Sequence, residues 1–165
     1  MGAGWSFGGV VAFELAKILQ TRSYSVKGVI LIDSPDPFNP VPLSSELIDY
    51  VLSTVYNINP QAQQLCKSHF TTSSQLLTEY NPHNLKHSVA IPIVFLWSRE
   101  GFNPPYVANV PIWLSDRSCT RSPTLGWMVL SGSSIQTIEI PGNHFSAFDS
   151  HNVSQVSLNF EICQQ

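Results

Sequence analysis

Charge is scarce in this chain: 12% of its 165 residues are Asp, Glu, Lys or Arg, and no basic run exceeds a residue or two. With a net charge of −3, that argues against nucleic acid or an anionic membrane surface as a partner. No apolar stretch approaches the roughly 20 residues needed to span a bilayer. The start, Met1-Gly2-Ala3-Gly4, has neither a charged n-region nor an apolar h-region, so no signal peptide is read there. Cysteine is limited to Cys66, Cys119 and Cys163, without C-x-x-C or Cys/His spacing. An odd, unpatterned set fits reduced thiols and a cytoplasmic location rather than a disulfide framework or a zinc site. The sequon Asn152-Val153-Ser154 carries no weight without a secretory signal. What the chain does have is apolar residues, at 43%, enough for one folded domain with a real core.

Those residues fall in patterns. Residues 8–21 (GGVVAFELAKILQT) are good helix formers without proline, apolar almost all round, with Gly8, Gly9, Ala12 and Ala16 as a small-residue face. Residues 26–33 (VKGVILID) form a β-branched run halted by Ser34-Pro35. A nearly continuous apolar strand among helices is the mark of a parallel sheet covered on both faces. Four prolines between Pro35 and Pro42 interrupt regular structure, and 43–56 and about 61–80 read as two helices. A second buried strand is expected at 91–97, a proline-punctuated loop at 98–120, and a short helix at 122–131. Strand 135–140, a loop holding His144 and a closing helix at 152–162 complete the chain. The order, α, β, helical insertion, β, loop, α, β, α, is half of a doubly wound α/β protein.

The chemistry-bearing motif is Gly4-Trp5-Ser6-Phe7-Gly8, a G-x-S-x-G pattern with a buried helix directly after it. A serine at a sharp strand-to-helix turn presents its Oγ to a base, and glycines two residues away make room for the turn. The helix start aims free N–H groups, Phe7's first, at a developing oxyanion. Serine needs a base to remove its proton. Of five histidines, His144 in Pro141-Gly142-Asn143-His144-Phe145 follows the last strand and falls at the sheet edge beside the turn. His69, His83, His87 and His151 read as solvated or packing residues. Four carboxylates could orient the base: Asp33 at a strand end, Glu100 after the next strand, and Asp116 or Asp149 in loops.

With these residues in view, the chain resembles the thioesterase domains that end fungal non-reducing polyketide synthases, members of the α/β-hydrolase fold. The matching segments are GWSFGGVVAFELA, GVILIDSP and GNHFSAF, with SREGFNPP…VPIWLSDRS similar to one branch of the family. The resemblance implies Asp33 as the acid of a Ser6–His144–Asp33 triad. It also implies an acyl thioester on the phosphopantetheine arm of an acyl carrier protein as substrate, with no metal or other cofactor. Release would be by hydrolysis, lactonisation or carbon–carbon cyclisation. The segment at about 41–88 would form a lid over an apolar chamber, with Trp5, Tyr50 and Tyr56, then Phe70 and Tyr80, as candidate lining. Core packing is an equal reading for the tyrosines and Phe70.

Only five residues precede Ser6, so the resemblance further implies the C-terminal half of such a fold, a partial domain spanning 1–165. A stub of one or two residues is expected for the strand entering the turn. The helix after it should expose apolar side chains, and the isolated chain should be poorly soluble and inactive until extended upstream. Two rival readings stay open: a general carboxylester hydrolase of the same fold, and a truncated, non-catalytic remnant.

Overall fold

The computed structural model describes residues 1–165 apart from 57, 83–89, 119–123, 155 and 158–165. Strand β1 (Gly2–Trp5) leads through Ser6 into helix α1 (Phe7–Thr21), then β2 (Val29–Ile32). Helix α2 (Ser45–Tyr50) runs on into a π-helical turn, Val51–Val55, and is followed by α3 (Pro60–Glu79). Strand β3 (Ile93–Ser98), short helix α4 (Ile112–Ser115), helix α5 (Thr124–Ser131) and strand β4 (Ile135–Ile140) follow. The strands form one parallel sheet in the order β1-β2-β3-β4. The expected α/β class and parallel sheet are observed.

Strand β2 shows why the sequence folds this way. All four of its residues are buried, and their alternation sends them to opposite faces. Val29 and Leu31 pack with Val10, Phe13, Trp127 and Leu130 of α1 and α5, whereas Ile30 and Ile32 pack with Leu96, Ile140, Ala147 and Val156. Burial of both faces accounts for the continuous apolar run. A third cluster joins Leu47, Val51, Phe102, Leu114 and Phe145, so α2 is anchored to the loops at the C-terminal edge of the sheet. Caps fix the helical insertion: Ser44 Oγ accepts from Leu47 N, and Asn59 Oδ1 accepts from Ala62 N with Pro60 at the first helical position.

Three expectations need correction. The strand entering the Ser6 turn is not a stub: all four residues of β1 pair with β2, from Gly2 beside Val29 to Trp5 beside Ile32. The stretch 98–120 is not wholly loop, since Pro111 starts α4 inside it. Strand 26–33 is shorter, ending before Asp33, whose φ of 46° takes the backbone out of the sheet. Val11 and Leu15 of α1 are indeed exposed and line a cleft with Gly2, Ala3 and Gly4 of β1, whose outer edge pairs with no described residue; Ile18 is exposed as well. His83 and His87, Cys119 and Cys163, and most of the closing helix at 152–162 lie outside the described residues.

Candidate active site

Ser6 stands between β1 and α1 with φ 54° and ψ −128°, a conformation that side-chain-bearing residues rarely adopt. Its N–H donates to Ile32 O at 3.0 Å and its carbonyl accepts from Gly9 N at 3.0 Å. The strained residue is therefore held from both sides. Of the motif glycines, Gly4 is the one the turn requires: a Cβ there would stand 2.0 Å from the carbonyl oxygen of Gly8. A Cβ at Gly8 meets nothing within 4 Å, so the space around that position does not require a glycine. Gly4→Ala should lower stability by about 1–3 kcal/mol or more through backbone overlap. Gly8→Ala should be neutral or stabilising by up to about 1 kcal/mol, because glycine costs helical entropy. Denaturant melts of the two variants check the contrast.

His144 is carried on a turn after β4. Gly142 enters it with φ 78°, and Asn143 Oδ1 accepts from the backbone N–H groups of Phe145 and Ser146 at 3.0 and 3.2 Å. Glu100 N donates to Gly142 O at 2.9 Å, so the turn is tied to the end of β3. The imidazole is 1% exposed. Trp5 stacks on it with ring centroids 4.9 Å apart, and Trp113 and Phe145 meet it edge-on at 5.0 and 4.9 Å. Trp5 also donates its indole N–H to His144 O at 3.1 Å. Of the proposed lining residues, Trp5 thus touches the His144 ring.

The structure brings the three motif residues into one line. His144 Nε2 lies 3.1 Å from Ser6 Oγ, and Nδ1 lies 2.8 Å from Asp33 Oδ2. Glu100 is exposed and faces Arg99, Asp116 is exposed and bonded to Ser118, and Asp149 is exposed. His69 and His151 are exposed as well. Asp33 also accepts from Ser98 N at 3.1 Å and from both terminal nitrogens of Arg117, at 3.0 and 2.9 Å. Arg117 has no counterpart in the sequence reading. A buried carboxylate has more acceptor sites than one imidazole N–H can fill, which calls for further donors but does not say where in the sequence they lie.

Burial alone would push the Asp33 carboxyl up, but hydrogen bonding to His144, the charge of a protonated His144 and the Arg117 guanidinium outweigh it and hold it below the ordinary 3.8. A carboxylate with a depressed folded value contributes stability that is present above its unfolded value and lost as pH falls through the folded one. The thermal midpoint should therefore fall steeply below about pH 4, and less steeply in Asp33→Asn. Calorimetry between neutral and acid pH reads the difference.

Beside Ser6 is a small cavity of about 40 Å³ walled by Phe7, Leu43, Phe70 and Leu77. Phe7 holds the first helical position of α1, where its N–H has no acceptor within the helix. Val41 is shared with a larger cleft of about 620 Å³ walled by Asp36, Trp97, Pro111, Ile112 and Trp113. Tyr50 packs against Phe102 in the apolar cluster, and Tyr56 is exposed; neither lines the cavity at Ser6. Tyr80 donates to Glu14. Among the described residues no three His, Cys, Asp or Glu side chains gather as metal ligands, and no helix is long and apolar enough to cross a membrane.

Residues 3–161 match the thioesterase domain family. An orsellinic acid synthase of Beauveria bassiana is 35% identical over 93% of this chain, which spans 8% of that protein. The orsellinic acid synthase armB of Armillaria mellea is 37% identical over 93% of the chain and 7% of its own length. The chain thus spans less than a tenth of these curated relatives. Among solved structures, the RedJ thioesterase of the prodiginine pathway in Streptomyces coelicolor superposes with a TM-score of 0.67 at 14% identity, over 96% of this chain and 61% of that one.

Proposed function

The chain belongs to the thioesterase domain family, and on that premise we propose that it releases a polyketide-type acyl chain from a carrier-bound thioester through an acyl-enzyme on Ser6. The observation that carries the reading is the contact line from half-buried Ser6 Oγ through buried His144 to buried Asp33. Ser6 Oγ attacks the thioester carbonyl as His144 Nε2 takes its proton, while Asp33 holds the tautomer with Nδ1 protonated and balances the imidazolium. The Phe7 N–H donates to the oxyanion. Collapse breaks the C–S bond, and the proton on Nε2 leaves with the thiol. A water or a hydroxyl of the acyl chain then gives its proton to His144 and displaces Ser6, whose Oγ takes that proton from Nε2, yielding acid or lactone; a carbon nucleophile that loses its proton in the same way yields the cyclised product. No step calls on a metal or a bound organic cofactor.

An acyl carrier protein as partner and a polyketide as cargo are supported by the kinship with orsellinic acid synthases. We assign the described part of the helical insertion, α2 and α3, as a lid, since Leu43 before α2 and Phe70 of α3 wall the cavity beside Ser6; the end of the expected segment, from residue 83 to 88, lies outside the described residues. The chain as a whole is read as one thioesterase unit acting in the cytoplasm. The test is selectivity. An aromatic acyl-pantetheine thioester should be cleaved with a higher kcat/KM than the matching oxygen ester of p-nitrophenol, despite the better phenolate leaving group. Preference for the oxygen ester favours a general carboxylester hydrolase, and no cleavage of either by a cooperatively folded chain favours the non-catalytic remnant.

A further inference from the structure

The Asp33 carboxylate is shared. Its Oδ2 serves both the His144 imidazole and Arg117 Nη2, and its Oδ1 takes Arg117 Nη1 and Ser98 N. The Arg117 and Asp33 side chains are 7% and 1% exposed. The guanidinium also lies over the Trp97 ring, its central carbon 4.7 Å from the centroid. A planar fork gripped by a carboxylate on its edge and an indole on its face has little freedom left. Resting on the serine-nucleophile reading above, we propose that Arg117 is a positioning residue for the reaction: it fixes the plane of the Asp33 carboxylate and shares the charge that the His144 imidazolium would otherwise face alone.

The argument is electrostatic and geometric. An Asp whose only cationic neighbour is the imidazolium stabilises that imidazolium with its whole charge and favours the protonated base. A second, permanent cation on the same two oxygens competes for that charge, and at these distances a buried guanidinium is hardly screened. The remaining titratable groups around the base do little. Among the described residues, β1 presents to it only the uncharged Trp5 ring and the turn into α1 only the Ser6 hydroxyl, and Glu100 after β3 is exposed and faces Arg99. On the segment after α4, Asp116 is exposed and turned to Ser118; on the ring's own loop, Asp149 is exposed. Arg117 is the described cation in contact with the Asp33–His144 pair.

Two substitutions separate the roles. Arg117→Lys keeps a charge but loses the fork, and Arg117→Met loses both. The readout is the rate of covalent labelling by a fluorophosphonate across pH, which needs only an activated serine and no knowledge of the natural acyl group. Arg117→Met should label about tenfold or more slowly at neutral pH, with the acid limb of its profile moved up by about one pH unit. Arg117→Lys should be slowed less, with the limb within a few tenths of a unit of the parent's. The low-field proton resonance of the His144–Asp33 hydrogen bond should shift in both variants. Should Arg117→Met fail to fold, the lysine variant decides: slower labelling with an unmoved limb supports the proposal, and a parental rate overturns it. An Arg117→Met protein labelled at Ser6 with the parental limb overturns it also. Absence of labelling in a parent that melts cooperatively overturns the serine-nucleophile reading, and this inference with it.

Discussion

Ser6→Ala should reduce thioester cleavage by about 10⁵–10⁶-fold and abolish covalent labelling, while leaving the fold intact. The residual rate should stay above that in water, because the Phe7 N–H and the binding surfaces still favour the transition state. The substitution removes one hydroxyl whose polar neighbour is the His144 imidazole. Alanine tolerates φ of 54° no worse than serine, so the melting curve should barely move. Steady-state kinetics with an acyl-pantetheine thioester, run beside a thermal melt, separate lost chemistry from lost structure. A Ser6→Ala protein that turns over within tenfold of the parent would leave the turn as a structural relic.

The second large effect concerns the acid. Asp33→Asn should cost about 10⁴ in kcat, because an amide in place of the carboxylate admits the wrong imidazole tautomer. Glu100→Gln should change kcat hardly at all, since Glu100 is exposed and faces Arg99. The Asp33 substitution carries a further signature. It strands a buried guanidinium, and breaking a buried pair by removing one partner costs about 3–5 kcal/mol. Loss of activity and loss of stability should therefore appear together in Asp33→Asn, whereas Ser6→Ala loses activity alone. Parallel kinetics and denaturant melts of the three variants read this pattern, and an equal loss of stability in Asp33→Asn and Glu100→Gln would count against it.

Much of this arrangement was legible in the residues because it rests on local signals. The β-branched residues of IQTIEI and the turn residues around it suffice to place β4 at Ile135–Ile140. The apolar run through residues 29–32 announces a strand buried on both faces, and G-x-S-x-G before a helix announces the Ser6 turn. Arg117 was not legible: it meets Asp33 across 84 residues of sequence, from a proline-broken stretch with no period to follow. Helix α4 has only four residues, too few for a pattern. The tyrosines show a different limit. The sequence leaves core and chamber as equal readings for Tyr50, and the structure puts it against Phe102. Gly8 repeats the lesson, since a motif glycine reads as a steric necessity until the space around it is seen to be open.

The central claim is a covalent one, and intact-mass spectrometry of acid-quenched protein tests it most directly. After brief incubation with an aromatic acyl-pantetheine thioester, the account predicts a mass increase equal to the acyl group less one hydrogen, mapped by peptide digestion to the segment containing Ser6. His144→Ala should suppress the adduct and Ser6→Ala should abolish it. An adduct on another residue, or thioester cleavage that survives in Ser6→Ala at the parental rate, would contradict the account.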